Sequence, residues 1–212
     1  MAIYQISRIE EDVRVMLDEC REHAPLAGFN DAESLELQAM IRGRMCEAVR
    51  YVHTHAPYYR LESGKNFCDN ICWHENETSG YTLLPLDFMR LVVFEMSDWE
   101  RCVTTSHLMD STVYSLQRNR YKGLRGNVQH PVCILGFRAE GQVLEFYSCK
   151  SQDATVVRAV YLPYPTVENG GIDISSQCYD AFLYYLSGLV LQSRNEAERA
   201  VVLFDHCKRA LQ

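Results

Sequence analysis

The chain has no apolar run long enough to cross a bilayer. Its longest such segment, Tyr179 to Leu191, is short and carries Asp180, whereas a spanning helix needs roughly 20 mostly apolar residues. The opening Met1-Ala2-Ile3-Tyr4-Gln5 lacks a basic segment followed by an apolar stretch. No secretory signal is therefore visible, and the expectation is synthesis and folding in the cytoplasm, with no membrane partner. Basic charge is also scarce. With 21 Lys and Arg against 28 Asp and Glu, the formal net charge is -7, which argues against a general nucleic-acid binder and leaves only a local basic patch open. Internal repeats, low-complexity tracts and long linkers are absent, so 212 residues with 47% hydrophobic content suit one compact unit.

Catalytic signatures are equally sparse. Neither a G-x-S-x-G elbow nor a family cysteine signature occurs. Gly123-Leu124-Arg125-Gly126 has too few glycines, and no G-K-[ST] ending, for a phosphate loop. The expectation is a protein without catalytic residues or cofactor, and not an enzyme.

What the chain does have is cysteine, nine in all, scattered and often inside apolar runs such as Pro131-Val132-Cys133-Ile134-Leu135. Free thiols behave this way as small hydrophobes in a reducing compartment. Cys68, Cys72 and His74 offer two thiols and an imidazole at close spacing. Structural zinc usually takes four ligands in two short-spaced pairs, and no second pair answers this one. Buried thiols with a surface histidine is the simpler reading, so no metal is expected.

Periodicity divides the chain into helix pair, β region and helix pair. Ser7 and Glu10 have capping-box spacing ahead of Ile9, Val13, Met16, Leu17 and Cys20. Pro25 and Gly28 break the chain, and Asn30 with Glu33 repeats the start signal. The reading is two helices, Ser7–His23 and Asp31–His55. Strands are expected at Tyr81–Leu84, Leu91–Met96, Val132–Arg138, Val143–Cys149 and Val156–Leu162, with a hairpin turn at Ala139–Gln142. The stretches 119–129 and 166–174 read as loops. Ser175 or Ser176 starts a helix through Leu191, and Asn195 with Glu198 opens a last helix to the end. The expected fold is α+β: a four-helix bundle from residues 1–57 and 175–212, with an inserted small antiparallel sheet or barrel, of four to six strands, within 58–174.

The helix between Cys178 and Leu191 is apolar nearly all round, so something must cover every side. Three neighbours within the chain are one answer; a second subunit is the other. On the second, Phe182, Tyr184, Tyr185 and Leu189 are subunit contacts. The basic cluster Arg118, Arg120, Tyr121, Lys122 and Arg125 is either a solvated loop or an arm that meets an acidic neighbouring subunit.

The order of elements, with the entry Leu83-Leu84-Pro85-Leu86-Asp87-Phe88-Met89-Arg90-Leu91 into the β region and a helical end at Gln212, resembles the head–tail adaptors of tailed bacteriophages, the ring-forming connectors of short-tailed and crAss-like phages. The resemblance covers most of the chain in architecture and carries no diagnostic motif. It implies a virion structural protein of the neck: a homo-oligomeric ring of about twelve copies, closed by a head-to-tail interface. It further implies portal docking through the C-terminal residues Phe204, Lys208, Arg209 and Leu211, contact with tail or further ring proteins, and DNA passing non-specifically through an acidic lumen. It gives no role to Tyr58–Ser79. The alternative is a non-viral soluble protein–protein interaction module.

Overall fold

The computed structural model describes residues 2–19, 31–62, 64–67, 70–75, 77–119, 121 and 123–212. In chain order the elements begin with β1 (Ala2–Gln5), α1 (Ile6–Glu19), α2 (Asp31–His55), β2 (Lys65–Asn66), β3 (Cys72–Trp73) and β4 (Gly80–Leu83). Next come β5 (Phe88–Met96), β6 (His107–Leu108), α3 (Thr112–Gln117), β7 (Val132–Arg138) and β8 (Gly141–Tyr147). The chain closes with β9 (Val156–Pro163), β10 (Val167–Glu168), β11 (Gly171–Ile174), α4 (Tyr179–Ser193) and α5 (Ala197–Leu211). They form two compact units, Met1–Glu62 with Pro165–Gln212, and Ser63–Tyr164.

The first unit is built around α4. Ala181, Phe182, Leu186, Val190 and Leu191 are each at most 2% exposed, and α1, α2 and α5 all pack against this helix. Gly188 lets α5 come close, since a Cβ there would fall 2.6 Å from the Phe204 ring. Tyr185 stacks on Tyr51 of α2 at 3.8 Å between ring centres. The cover that an all-apolar helix demands is thus supplied by its own chain, and Phe182 and Leu189, read as subunit contacts, lie inside at 0% and 6% exposure.

The unit also holds a sheet, in the order β1-β11-β10. β1 runs antiparallel to β11, with Tyr4 opposite Ile172, and leads straight into α1. The Ile6 N–H donates to the Gly170 carbonyl at 3.0 Å, so α1 begins at Ile6. Residues 166–174, expected as loop, form the β10–β11 hairpin. Its turn is Asn169-Gly170, with φ of 51° and 72°, the positive values that a two-residue type I′ turn requires.

Helix ends differ from expectation in similar ways. Ser175 does not cap α4; its hydroxyl donates to the Arg60 carbonyl at 2.5 Å, and its N–H to His53 Nε2 at 3.3 Å. Asn195 does not cap α5 either. It takes a left-handed φ of 62°, closing the α4–α5 turn, where the Glu196 N–H returns to the Leu191 carbonyl at 3.0 Å. The expected helical residues beyond Glu19, the break at Pro25 and Gly28, and Asn30 lie outside the described residues.

The second unit has two sheets, ordered β2-β9-β5 and β3-β4-β8-β7-β6. Their facing side chains form one core, in which Phe94 of β5 meets Phe146 of β8 at 5.7 Å. β5 pairs with β9 through three register shifts, and such bulges bend and twist a strand. β6 runs parallel to β7, while the β7–β8 hairpin keeps Val132 opposite Tyr147 through to Arg138 opposite Gly141.

The chain is therefore α+β with five helices and three sheets among the described residues, not a four-helix bundle with one small inserted sheet. Strands of two residues, such as β2, β3, β6 and β10, are too short to leave a period of two in the sequence. The β1–β11 pairing joins segments at opposite ends of the chain, which local pattern cannot register.

Phe182→Ala tests the burial of α4. Emptying a fully covered phenylalanine site is expected to cost about 3–5 kcal/mol of unfolding free energy. Denaturant titration measures that loss, and the mass of the species in solution should stay unchanged. A shift in oligomeric state without loss of stability would contradict this placement.

Candidate functional site

The polar chemistry of the second unit gathers in one open cleft of about 860 Å³, within the size range of ligand pockets. Its floor is a face of the β4–β8–β7 sheet. Glu145 pairs in register with Tyr81 on one side and Ile134 on the other, so these side chains share that face. Glu145 is only 4% exposed. Arg138 donates to its Oε1 at 2.7 Å and the Tyr147 hydroxyl to its Oε2 at 2.7 Å, so both carboxylate oxygens are occupied, as burial demands. The Arg138 guanidinium also lies over the Tyr81 ring, 4.0 Å from its centre. Burial first, and the Glu145 carboxylate second, push the Tyr147 hydroxyl well above the ordinary tyrosine range. It remains a proton donor at neutral pH.

One wall is α3 and the loop that follows. The Ser111 hydroxyl caps α3 by accepting from the Tyr114 N–H at 3.3 Å. Arg118, at the other end, donates to the Tyr114 hydroxyl at 3.2 Å and sits 5.3 Å from that ring's centre. Gln117 ties the loop down: its Oε1 accepts from the Gly126 N–H at 2.9 Å. Glycine at 126 lets the loop lie close to β7 and Ser148, since a Cβ there would fall 2.5 Å from the Ser148 hydroxyl oxygen. Ser148 has φ of 90°, a region costly for a residue with a side chain, and its buried hydroxyl has no hydrogen-bond partner among the described residues. Backbone strain of this kind clusters at functional sites.

The facing wall is the turn between β3 and β4, which carries Glu75 and Glu77. The His74 N–H donates to the Ser79 carbonyl at 3.0 Å, and the Cys149 N–H to the Thr78 carbonyl at 3.2 Å. The Gln152 side chain donates to the carbonyls of His74 and Glu77 at 3.1 and 2.8 Å. The Ser79 hydroxyl donates to Glu77 at 2.6 Å.

Of the basic cluster read from sequence, Arg118 and Arg125 line this cleft, Tyr121 is 72% exposed, and Arg120 and Lys122 lie outside the described residues. Tyr184 and Tyr185 are half-buried on α4, with Tyr184 stacked on His206 at 5.4 Å. At the C-terminus, Leu211 is buried, Phe204 is half-buried against Tyr185, and Lys208 and Arg209 are exposed, with Lys208 bound to Asp205 at 3.1 Å. Cys72 is exposed, His74 lies 5.8 Å from the Tyr81 ring, and Cys68 is outside the described residues. Among the described residues no three ligating groups converge on one point, and no helix is long and apolar enough to cross a membrane.

Arg138, Glu145, Tyr147, Tyr114 and Ser148 were not foreseen. Glu145 alone left a signal, an acid in the middle of the apolar strand Val143-Leu144-Glu145-Phe146. A separate feature lies at the far end of the same sheet. There Leu83, Leu86 and Phe137 are 47%, 106% and 77% exposed. The Leu84 N–H binds the carbonyl of Gln142 at 2.9 Å, and Gln142 pairs with Phe137, so Leu83 and Phe137 lie at one end of the sheet on opposite faces, with Leu86 in the turn just beyond β4.

Arg138→Met strips the Glu145 carboxylate of its charge partner and is expected to cost about 3 kcal/mol. The double variant with Glu145→Leu should recover most of that loss, because no buried charge is then left alone. Urea unfolding of both variants measures the difference.

Thiol reactivity gives a second check. Burial, followed by the nearby Asp98 carboxylate, pushes the Cys149 thiol up to about 12, and burial pushes Cys207 to about 11. Iodoacetamide at mildly alkaline pH should label exposed Cys72 in the folded protein and spare these two until urea is added, as peptide mass mapping would read. Unfolding returns both thiols to about 8.5. Their contribution to stability is therefore intact below that pH and is lost as pH climbs toward their folded values.

In sequence, the chain matches no protein-family model and no curated protein.

Proposed function

We propose that this protein is a non-catalytic structural subunit, a head–tail adaptor that forms a ring between portal and tail of a phage virion, with DNA passing through the centre. The observation that carries the reading is the apolar end of the sheet at Leu83, Leu86 and Phe137. Covering a leucine or phenylalanine side chain contributes about 1.5–3 kcal/mol. Exposed on both faces at one end of the sheet, these side chains suit a neighbouring copy that covers that end. Repeated around an axis, such a head-to-tail contact closes into a ring. The net charge of -7 supports the reading, because an acidic lumen repels the phosphate backbone and limits adhesion during passage. On this reading the exposed face of α5, with Val201, Val202, Lys208 and Arg209, meets the portal.

Native mass spectrometry of the purified protein, alone and mixed with candidate portal and tail proteins, tests the proposal. A ring is expected from the native chain. The variant with Leu86→Asp and Phe137→Asp should keep its thermal unfolding midpoint and lose the ring. A native chain that stays solitary in every mixture would refute the adaptor and favour a soluble protein–protein interaction module.

A further inference from the structure

The cleft is charged on two sides and balanced in the middle. Arg138 and Glu145 neutralise each other in the floor. That leaves Arg118 and Arg125 on the α3 wall and Glu75 and Glu77 on the facing wall. Among the described residues the Arg118 side chain hydrogen-bonds only the Tyr114 hydroxyl, and the Arg125 and Glu75 side chains have no ion-pair or hydrogen-bond partner. Gln117 and Gln152 bond to the backbone of the two walls, so the loops that carry the opposed charges are tied to the rest of the unit.

This bipolar arrangement discriminates between ligands. A nucleic-acid strand or a polyphosphate is negative along its whole length, and Glu75 and Glu77 would repel it as strongly as the arginines attract it. A purely cationic ligand meets the opposite problem. We propose that the cleft docks a polypeptide segment of a partner protein that carries an acidic side chain and, a few residues away, a basic one. The carboxylate is received by Arg118 and Arg125, whose planar guanidinium groups suit it. The cation is received by Glu75 and Glu77. The site is distinct from the apolar end of the sheet, so it stands whether or not the chain closes into a ring.

The test is a nuclear magnetic resonance titration of the whole chain. The probes are pooled short peptides bearing Asp or Glu and Lys or Arg at varied spacings, then inorganic phosphate, then a short single-stranded oligonucleotide. The amides of Gly126 and Ser148 and the side-chain Nε–H signals of Arg118 and Arg125 are followed. A saturable shift with at least one mixed-charge peptide is expected, together with a loss of affinity of roughly tenfold or more in R118Q/R125Q, about 1.4 kcal/mol. Both arginines are exposed, so that variant should fold as the native chain does, which its thermal unfolding checks. Phosphate and oligonucleotide should give no saturable shift. Absence of any saturable peptide shift, equal binding of the oligonucleotide or phosphate, or full affinity in R118Q/R125Q would each overturn the proposal.

Discussion

A helix whose side chains are apolar on every side can persist only where other structure encloses it, and α4 imposes that constraint on the first unit. Ala181, Phe182, Leu183 and Leu191 point in different directions and are all buried. α1, α2 and α5 must therefore surround them, drawing both ends of the chain into one unit. Gly188 sets how near α5 can come, and the Tyr51–Tyr185 stack closes the side toward α2. Once the ends are together, β1 meets β11, and a strand pairing follows that neither segment would hold alone.

In the second unit the comparable constraint is the buried carboxylate of Glu145. A charge taken out of water is tolerated only with its hydrogen-bonding capacity filled. Arg138 and Tyr147 fill it from the same hairpin. That solution fixes the floor of the cleft and orients the Arg138 guanidinium over Tyr81. The walls follow from backbone details: a glycine at 126 that admits close approach, and a serine at 148 held in a conformation that costs energy. The result is a surface of fixed, opposed charges on an acidic protein.

Much of the first-order organisation was legible. The stripe Leu37, Met40, Ile41, Met45, Ala48, Val49 and Val52 marks α2, and all of these are buried except Met40, which is half-buried. The β7–β8 hairpin was visible because two apolar runs flank a short polar turn. Its turn is narrower than expected, Ala139-Glu140, since Gly141 already pairs with Arg138. The β10–β11 hairpin had a signal that was passed over, Asn169-Gly170, a pair strongly associated with type I′ turns. Capping motifs misled at Ser7, Ser175 and Asn195. A serine or asparagine caps a helix only where the helix starts beside it and no tertiary partner claims it: α1 already begins at Ile6, Ser175 binds the Arg60 carbonyl, and Asn195 closes the α4–α5 turn.

Local chemistry in the sequence settled where the long helices and the longer strands lie, and that α4 needs cover on all sides. It also settled the overall negative balance and the presence of a basic cluster near Arg118. Which groups provide the cover, and what Arg118 and Arg125 face, depended on the three-dimensional arrangement alone. Glu75, Glu145 and Arg118 are far apart along the chain, and no periodicity links them. Only the sheet register and the fixed loops bring their charges onto one cleft. Periodic pattern reports burial within an element, whereas a site is made by distances between elements, and those are set by packing.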